Sequence, residues 1–233
     1  ALWPFYTGGF FQSADGVIHL FRLITLDDSI RQGMIYPRWS SQLLQGYGYP
    51  VFNFYAPASY YIAELFHQLG ASFTESLIIT TSLYILFAGW GMYQLARVLL
   101  PAPATWGPWI AATLYMYSPY LIINAYTRGA IAEVGAQALL PWIFLLFYRL
   151  FTIPRPHQWA IPTALLLSLL VVMHNITLLL LPPFLALYAL LLWRRGGYER
   201  SALFALVGAG SAALGISAFF WLPLVMERSF LLS

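Results

Sequence analysis

The sequence predicts an all-α membrane protein: a polytopic bundle of transmembrane helices with a large extracytoplasmic first loop that contains interfacial helices. Hydrophobic residues make up 61% of the 233 positions and charged residues 8%, whereas soluble domains carry about 25% charged residues. Apolar windows close to the length of a membrane span recur after residue 70. The segment before them is too polar for lipid and too aromatic for a solvated loop, so it should fold against the membrane surface.

Residues 1–70 are predicted to form this first loop. An amphipathic helix is expected over about 15–32, an irregular aromatic segment over 33–55, and a short interfacial helix over 57–69 that ends at Gly70. The irregular segment has Gly and Pro where a chain must turn and aromatic residues where it must bury surface. Because amphipathic helices cannot bury their apolar faces alone, both helices should lie over the outer ends of the spans and roof a cavity.

Residues 71–233 are predicted to form a transmembrane domain of about six spans. Arginine collects near Arg97, Arg155 and Arg194, in alternate connections between these spans. By the positive-inside rule those connections face the cytoplasm, and the first loop faces the other side. The sequence starts without Met and stops just after an apolar stretch, so we interpret it as a fragment of a longer chain. The predicted spans lie at about 75–97, 106–126, 131–150, 158–174, 176–193 and 202–224.

Several classes of function lack support in the sequence. The formal net charge of +3 is small and dispersed, which argues against a nucleic-acid partner. The chain has no cysteine, so disulfides contribute nothing to it. The motifs GxxxxGKS/T, HExxH, CxxC and GxSxG are missing, which removes the usual signatures of ATP-driven transport, zinc proteolysis and serine hydrolysis.

The first loop carries the first candidate site residues. Asp15, His19 and Arg22 are spaced so that a helix would project all three from one face. Asp15, in a partly apolar setting, could act as a general base or a metal ligand. The alternative is a helix N-cap, which the spacing alone slightly favours. Asp27 and Asp28 have the pattern of a solvated helix face and are left out of the predicted site.

Two outer connections carry the other candidates. Arg128 and Glu133 lie at the mouth of two predicted spans, and ionisable residues at membrane depth are functional candidates. The alternative is an ordinary pair that extends outward from helix ends, but the small residues around Gly129 allow close helix approach and favour function. His174 and Asn175 occupy a tight turn, where they could donate to a phosphate or cap helix ends; the cap is the favoured interpretation.

Five segments together resemble a known group of bacterial membrane proteins, the GT-C glycosyltransferase superfamily. They are D-x-x-x-H-L-x-R at Asp15–Arg22, YPRW at 36–39, GYGYPVFNFYAP at 46–57, RGAIAE at 128–133 and HN at 174–175. Some proteins of this kind are labelled 6-pyruvoyl-tetrahydropterin-synthase-related membrane proteins. The resemblance covers nearly the whole sequence, and the joint order of the motifs is more specific than any one of them.

The resemblance implies a transferase of the bacterial plasma membrane that moves a sugar from a polyprenyl-phosphate donor to an acceptor on the extracytoplasmic face. Asp15 then corresponds to the catalytic acid of the first loop, Glu133 to a second acidic position, and Arg128 would stabilise the departing phosphate. The chain has no DxD motif, so a divalent cation as cofactor is left open. The further substrate-binding residues that this interpretation assigns are His19, Arg22, Arg38, Trp39, Tyr49, Tyr55, His174 and Asn175.

Two other functions stay open at this point. One is a non-catalytic membrane subunit, or a lipid-binding scaffold of a larger complex, whose first loop docks partner subunits. The other is a transporter, which should place charges near the middle of the bilayer. Almost every charge here falls at a predicted membrane boundary. That distribution favours surface chemistry or scaffolding, and for the aromatic residues it leaves a choice between stacking on sugars and a membrane aromatic belt.

Overall fold

The computed structural model describes residues 2–7, 13–101, 105–196 and 199–227, and they form an all-helical protein. No strand occurs in these ranges; one isolated antiparallel bridge joins Ser40 to Tyr49. The predicted fold class is therefore confirmed. The helices are α1 (Trp3–Thr7), α2 (Gly16–Arg31), α3 (Val51–Phe54), α4 (Ala58–Gln68), α5 (Phe73–Leu99), α6 (Gly107–Met116), α7 (Pro119–Ile122), α8 (Ile131–Thr152), α9 (His157–Met173), α10 (Asn175–Leu180), α11 (Pro182–Arg195), α12 (Arg200–Ile216) and α13 (Ala218–Met226).

Among the described residues two helices, α5 and α8, are long and apolar enough to cross a membrane. The pair α12 and α13, bent by 69°, would add a third span if it counts as one. Two other predicted spans are broken where proline follows, because the ring removes a hydrogen-bond donor and disfavours helical backbone in the preceding residue. Ser118 is extended before Pro119. Leu181 keeps helical φ and ψ, so α10 gives way to α11 where Pro182 and Pro183 lack amide donors. The total of six spans stays a prediction.

The helices α5 and α8 run parallel and pack closely. The indole Nε1 of Trp142 donates to the Phe87 carbonyl at 3.0 Å, and the two rings stack. Gly91 permits this approach, because a Cβ there would overlap the Trp142 indole. The next helix, α9, returns antiparallel to α8, since the Arg149 guanidinium lies 4.6 Å from the Trp159 ring centroid at one end.

The bundle therefore has two ends, which we call the loop end and the arginine end. At the loop end Ser59 of α4 donates to Met173 at 3.2 Å and accepts from Tyr84 of α5 at 3.1 Å. The arginine end holds Arg97, Arg149, Arg155 and Arg194. This separation agrees with the one expected from the alternation of arginine along the chain.

The first loop packs on the loop end much as its sequence suggests. Helices α2 and α4 agree with the predicted 15–32 and 57–69, and between them the chain is mostly irregular, with a 3₁₀ turn at Leu44–Gly46 and the short α3. The side chains of Leu23, Leu26 and Phe52 are fully buried in the same core as α5 and α8. Burial contributes roughly 1.5–3 kcal/mol for each of them, so loop and bundle form one structural unit.

The prediction of an amphipathic α2 is wrong. The helix exposes Val17, Ile18 and Phe21, while it buries His19 and Asp27. Polar side chains point inward because α4 supplies partners for them, Tyr60 for His19 and Gln68 for Asp27. The exposed face of α2 is thus apolar, as on a protein surface that meets lipid or another chain.

The far end of the described chain returns to the first loop. After the bend between α12 and α13, Glu227 pairs with Arg38 at 2.8 Å and accepts from the Asn53 amide at 2.7 Å. Residues from the start and the end of the chain therefore meet at the loop end.

Candidate functional site

The candidate site forms where the start of α2 meets the turn before α8. The amide of Ala14 donates to the Thr127 carbonyl at 3.1 Å, and the amide of Asp15 donates to the Arg128 carbonyl at 2.8 Å. Residues Ile123–Arg128 form a π-helical turn that ends at Gly129, which has φ +70°. A Cβ at Gly129 would collide with the Ser13 hydroxyl. A residue without a side chain therefore lets these two segments touch.

The Asp15 carboxylate is not a helix cap. Asp15 occupies the N-cap position of α2, but its side chain makes no capping hydrogen bond; the Gly16 amide donates instead to the Ser13 hydroxyl at 3.1 Å. Within the described part of the chain the carboxylate makes no hydrogen bond or ion pair, and the residue is partly exposed. The cap interpretation is therefore wrong for this side chain.

Arg128 and Glu133 form an ion pair at the start of α8. The Arg128 Nη1 lies 2.8 Å from Glu133 Oε2 and donates to the Asn124 amide oxygen at 2.7 Å. The Tyr120 hydroxyl donates to the other carboxylate oxygen of Glu133. The Glu133 side chain is 11% exposed, but that of Arg128 is 48% exposed. Glu133 is thus fully engaged, whereas the guanidinium still faces outward.

His19 and Arg22 share the buried hydroxyl of Tyr60. His19 Nδ1 lies 2.6 Å from this hydroxyl, and Arg22 Nη1 donates to it at 3.2 Å. Burial lowers the pKa of His19 to about 4, and the Arg22 charge acts in the same direction. His19 is therefore neutral at pH 7. Because Arg22 donates to the Tyr60 oxygen, we assign the phenol hydrogen to Nδ1 of His19 and the ring hydrogen to Nε2.

His19 also lines a small cavity between α2 and the turn at Gly129. The cavity measures about 20 Å³ and is lined by Ser13, His19, Asn124 and Gly129 among others. His19 Nε2 and the Asn124 amide nitrogen are both buried and make no well-formed hydrogen bond in the described structure, although the main chain of Gly129 lies close enough to raise the pKa of His19. The space suffices for one buried water molecule, which such unpaired groups commonly hold. The cavity thus links α2 to the turn that carries Arg128.

His174 and Asn175 stand beside this site. The ring nitrogen Nδ1 of His174 accepts from the Thr177 amide at 3.3 Å, so the predicted helix cap is confirmed. Burial lowers the pKa of His174, opposed by the nearby Glu133 carboxylate. The Asn175 amide donates to the Phe54 carbonyl at 3.1 Å. The pair therefore fixes the start of α10 against the first loop, close to the Arg128–Glu133 ion pair.

The remaining predicted residues lie in two separate places. Tyr55 supports Arg22, whose guanidinium carbon lies 4.0 Å from the ring centroid, and Tyr49 lines a groove next to Arg22. Arg38 pairs with Glu227 instead of joining the Asp15–Arg128 contact. Trp39 is 55% exposed. The structure therefore joins Tyr49 and Tyr55 to Arg22 and does not form a single sugar-binding surface from the three aromatic residues.

Asp27 does not lie on a solvated face, as its sequence neighbours had suggested. It is buried and receives two 2.8 Å contacts from Arg31 Nε and one of 3.2 Å from Gln68. Gln68 also donates to Glu64 at 2.5 Å, and burial raises the pKa of Glu64. This cluster joins the ends of α2 and α4, and Asp28 beside it accepts from Gln42. The pairing of Asp27 with Arg31 has the i, i+4 spacing of a helix, but Gln68 lies 41 positions away, too far for a helical pattern to reveal it.

Sequence reasoning missed Tyr60, Tyr120 and Asn124. Each holds a candidate site residue in place: Tyr60 binds His19 and Arg22, Tyr120 binds Glu133, and Asn124 binds Arg128. Tyrosine is abundant in the chain, with 16 positions, so no pattern marked these two. Asn124 did carry a signal, as a lone amide four residues before Arg128. Within the described residues no three His, Asp or Glu side chains converge as a metal site would need.

Comparison with known proteins gives a family and one distant relative. A family model of the 6-pyruvoyl-tetrahydropterin synthase related domain, described as a membrane protein, matches residues 52–231. An uncharacterised protein of Lactococcus lactis subsp. cremoris (strain MG1363) is 25% identical over 233 aligned residues, which cover 97% of this chain and 37% of that protein. No solved structure matches the chain. The family match includes Arg128 and Glu133 and begins after Asp15.

Proposed function

The chain belongs to the 6-pyruvoyl-tetrahydropterin synthase related family of membrane proteins, and for this member we propose the function of a glycosyltransferase. It would move a sugar from a polyprenyl-phosphate donor to an acceptor on the extracytoplasmic face of a bacterial plasma membrane. One observation carries the proposal: Asp15, whose carboxylate has no partner among the described residues, donates its amide to the Arg128 carbonyl. The main-chain contact thus brings a residue with a carboxylate and a residue with a half-exposed guanidinium together at the loop end, where the motifs that resemble the GT-C superfamily also lie.

In the proposed reaction Asp15 acts as the general base. Its carboxylate takes the proton from an acceptor hydroxyl, and the acceptor oxygen forms a bond to the anomeric carbon of the sugar. The bond from that carbon to the phosphate oxygen breaks, and its electron pair leaves with the polyprenyl phosphate. The half-exposed guanidinium of Arg128 suits this leaving group, because it offers paired donors and stays charged at a membrane surface.

Glu133 is better placed to position Arg128 than to take a proton. Both of its carboxylate oxygens are already bonded, one to Arg128 and one to Tyr120. A carboxylate engaged in this way fixes the direction of the guanidinium. His174 lies close enough to the ion pair for its pKa to respond to Glu133, so we assign it a supporting role at the phosphate. We therefore propose Asp15 as the catalytic residue and Glu133 as a positioning residue.

The donor also needs space for its lipid tail. An apolar groove of about 520 Å³ runs between α5, α8 and α9, with Leu83, Trp90, Leu139 and Leu169 among its walls. At the loop end it reaches Met173, next to His174. A polyprenyl chain is apolar throughout, so this groove supports the choice of a lipid-linked donor.

A non-catalytic scaffold is the second candidate. The observation in its favour is the apolar exposed face of α2, formed by Val17, Ile18 and Phe21. A partner subunit could cover this face. Such a role gives no reason for an unpartnered carboxylate at Asp15, which is why we rank it second.

Substitution of Asp15 by Asn tests the proposed function. The full-length protein, purified in detergent, would be given radiolabelled polyprenyl-phosphate hexoses and a membrane extract as acceptor, and the release of polyprenyl phosphate would be measured. Asp15→Asn should reduce transfer about 100-fold or more, as expected for a removed general base. Asp28→Asn is the matched control in the same segment, since the Asp28 carboxylate bonds to Gln32 and Gln42 among the described residues. Transfer at the parent rate by Asp15→Asn would refute the assignment.

A further inference from the structure

Arg22 is a half-buried cation without a counter-ion. All eight Asp and Glu residues belong to the described chain, and none of the ion pairs in these residues includes Arg22. Its contacts are the Tyr60 hydroxyl and the Tyr55 ring. Burial raises the pKa of both tyrosines, so both stay neutral. Partly buried charges in proteins are normally paired, and this guanidinium therefore lacks an anion.

The guanidinium forms part of the wall of an open groove on the loop end. The groove has a volume of about 230 Å³ and lies between the exposed side of α2 and residues 43–51. Apart from Arg22 its walls are largely apolar, with Ile18, Phe21, Leu44 and Tyr49. Phe21 is 57% and Leu44 62% exposed. The groove thus combines one cation with an apolar surface around it.

This combination identifies the chemistry of the ligand. The guanidinium suits a phosphate or carboxylate ligand, because its planar donors bind such groups in pairs. The exposed apolar residues around it would pack against a hydrocarbon group attached to that anion. A membrane lipid with a net negative head group has both parts, and the predicted topology places the loop end at the depth where head groups are found.

We propose that the groove between α2 and residues 43–51 binds an anionic phospholipid, with its phosphate on Arg22 and its upper hydrocarbon over Ile18, Phe21 and Leu44. Arg22 is held ready for this role: Tyr55 supports the plane of the guanidinium and Tyr60 fixes one nitrogen. This site is distinct from the Asp15–Arg128 contact. It needs neither a sugar donor nor an acceptor, so it does not depend on the proposed transferase function.

Lipid binding by the delipidated full-length protein tests the proposal. Binding of phosphatidylglycerol and phosphatidylcholine would be compared by native mass spectrometry, without donor or acceptor. We expect phosphatidylglycerol to be preferred, and Arg22→Gln to weaken its binding about 10-fold or more, since a charge-assisted hydrogen bond is lost. Arg22→Lys should show an intermediate loss, because it keeps the charge but not the paired donors. Arg38→Gln removes an arginine that is already paired with Glu227 and should bind as the parent does.

Two further measurements distinguish binding of a lipid from binding of a free anion. Inorganic phosphate at millimolar concentration should not displace phosphatidylglycerol, since it cannot use the apolar walls. Phe21→Gln should weaken the lipid while leaving Arg22 in place. Parent-like binding of phosphatidylglycerol by Arg22→Gln, or its full displacement by inorganic phosphate, would overturn the proposal. If Arg22→Gln fails to fold, Arg22→Lys and Phe21→Gln still decide it.

Discussion

The amide of Asp15 donates a 2.8 Å hydrogen bond to the carbonyl of Arg128, so the two residues are joined by their main chains and not by their side chains. The main-chain contact does not involve either side chain, so it should survive when the Asp15 carboxylate or the Arg128 guanidinium is replaced. This property makes conservative substitutions at the site informative, because a loss of activity can be separated from a loss of structure.

Gly129 should be essential for that contact. Its φ of +70° is costly for other residues, and a Cβ would collide with Ser13. Gly129→Ala is expected to destabilise the protein by about 1–3 kcal/mol and to reduce transfer. Gly210→Ala is the control, since a Cβ at Gly210 meets no atom within 4 Å. Thermal unfolding of the purified proteins checks both, and equal midpoints for Gly129→Ala and the parent would contradict the role of this turn.

Glu133→Gln distinguishes a positioning residue from a catalytic one. The amide keeps a hydrogen bond to Arg128 but loses the charge that orients it, so we expect weaker donor binding and a rise in KM of about 10-fold. The value of kcat should change much less. If Glu133 itself took or gave the proton, kcat would fall about 100-fold instead. Steady-state kinetics with varied donor concentration separate these results, and Glu133→Asp should restore part of the affinity.

The pattern of the sequence located the helices of the first loop better than it located the contacts among them. The bounds of helix α2 were predictable from the sequence. The inward direction of His19 and Asp27, however, depends on Tyr60 and Gln68 of α4. No local pattern contains such distant partners. The contact of Asp15 with Arg128 was anticipated only through the family resemblance. The breaks at Ser118 and Leu181 did carry a proline signal, but apolar composition outweighed it in the assignment of spans.

His19 should make the stability of the protein depend on pH. Its pKa is about 4 in the folded state against an ordinary 6.5, so between these values the unfolded chain binds the proton more readily. The free energy of unfolding is therefore not reduced by His19 above pH 6.5. It decreases as the pH drops from 6.5 to 4, by up to about 3 kcal/mol. His19→Gln cannot be protonated and should flatten this part of the curve. Thermal midpoints of both proteins between pH 4 and 7 test this, and parallel curves would speak against it.

The orientation in the membrane can be measured directly because the chain has no cysteine. Single cysteines at Gln45, Thr127 and Gln158 would be treated with a membrane-impermeant maleimide in intact cells. Gln45→Cys and Thr127→Cys, at the loop end, should react from outside, and Gln158→Cys only after the cells are opened. Labelling of Thr127→Cys and Gln158→Cys from the same side would refute the topology.

The ion pair of Arg38 with Glu227 has a consequence for the order of assembly during synthesis. The first loop emerges from the ribosome early, but the carboxylate that receives Arg38 and Asn53 belongs to a residue made 174 or more positions later. Contacts so far apart in the chain form late, because a long stretch must be ordered before they bring any gain. We therefore expect Arg38 to pair with Glu227 only after α12 and α13 have been synthesised and packed. The complete surface of the loop end thus forms only when the last described helices have packed against the first loop.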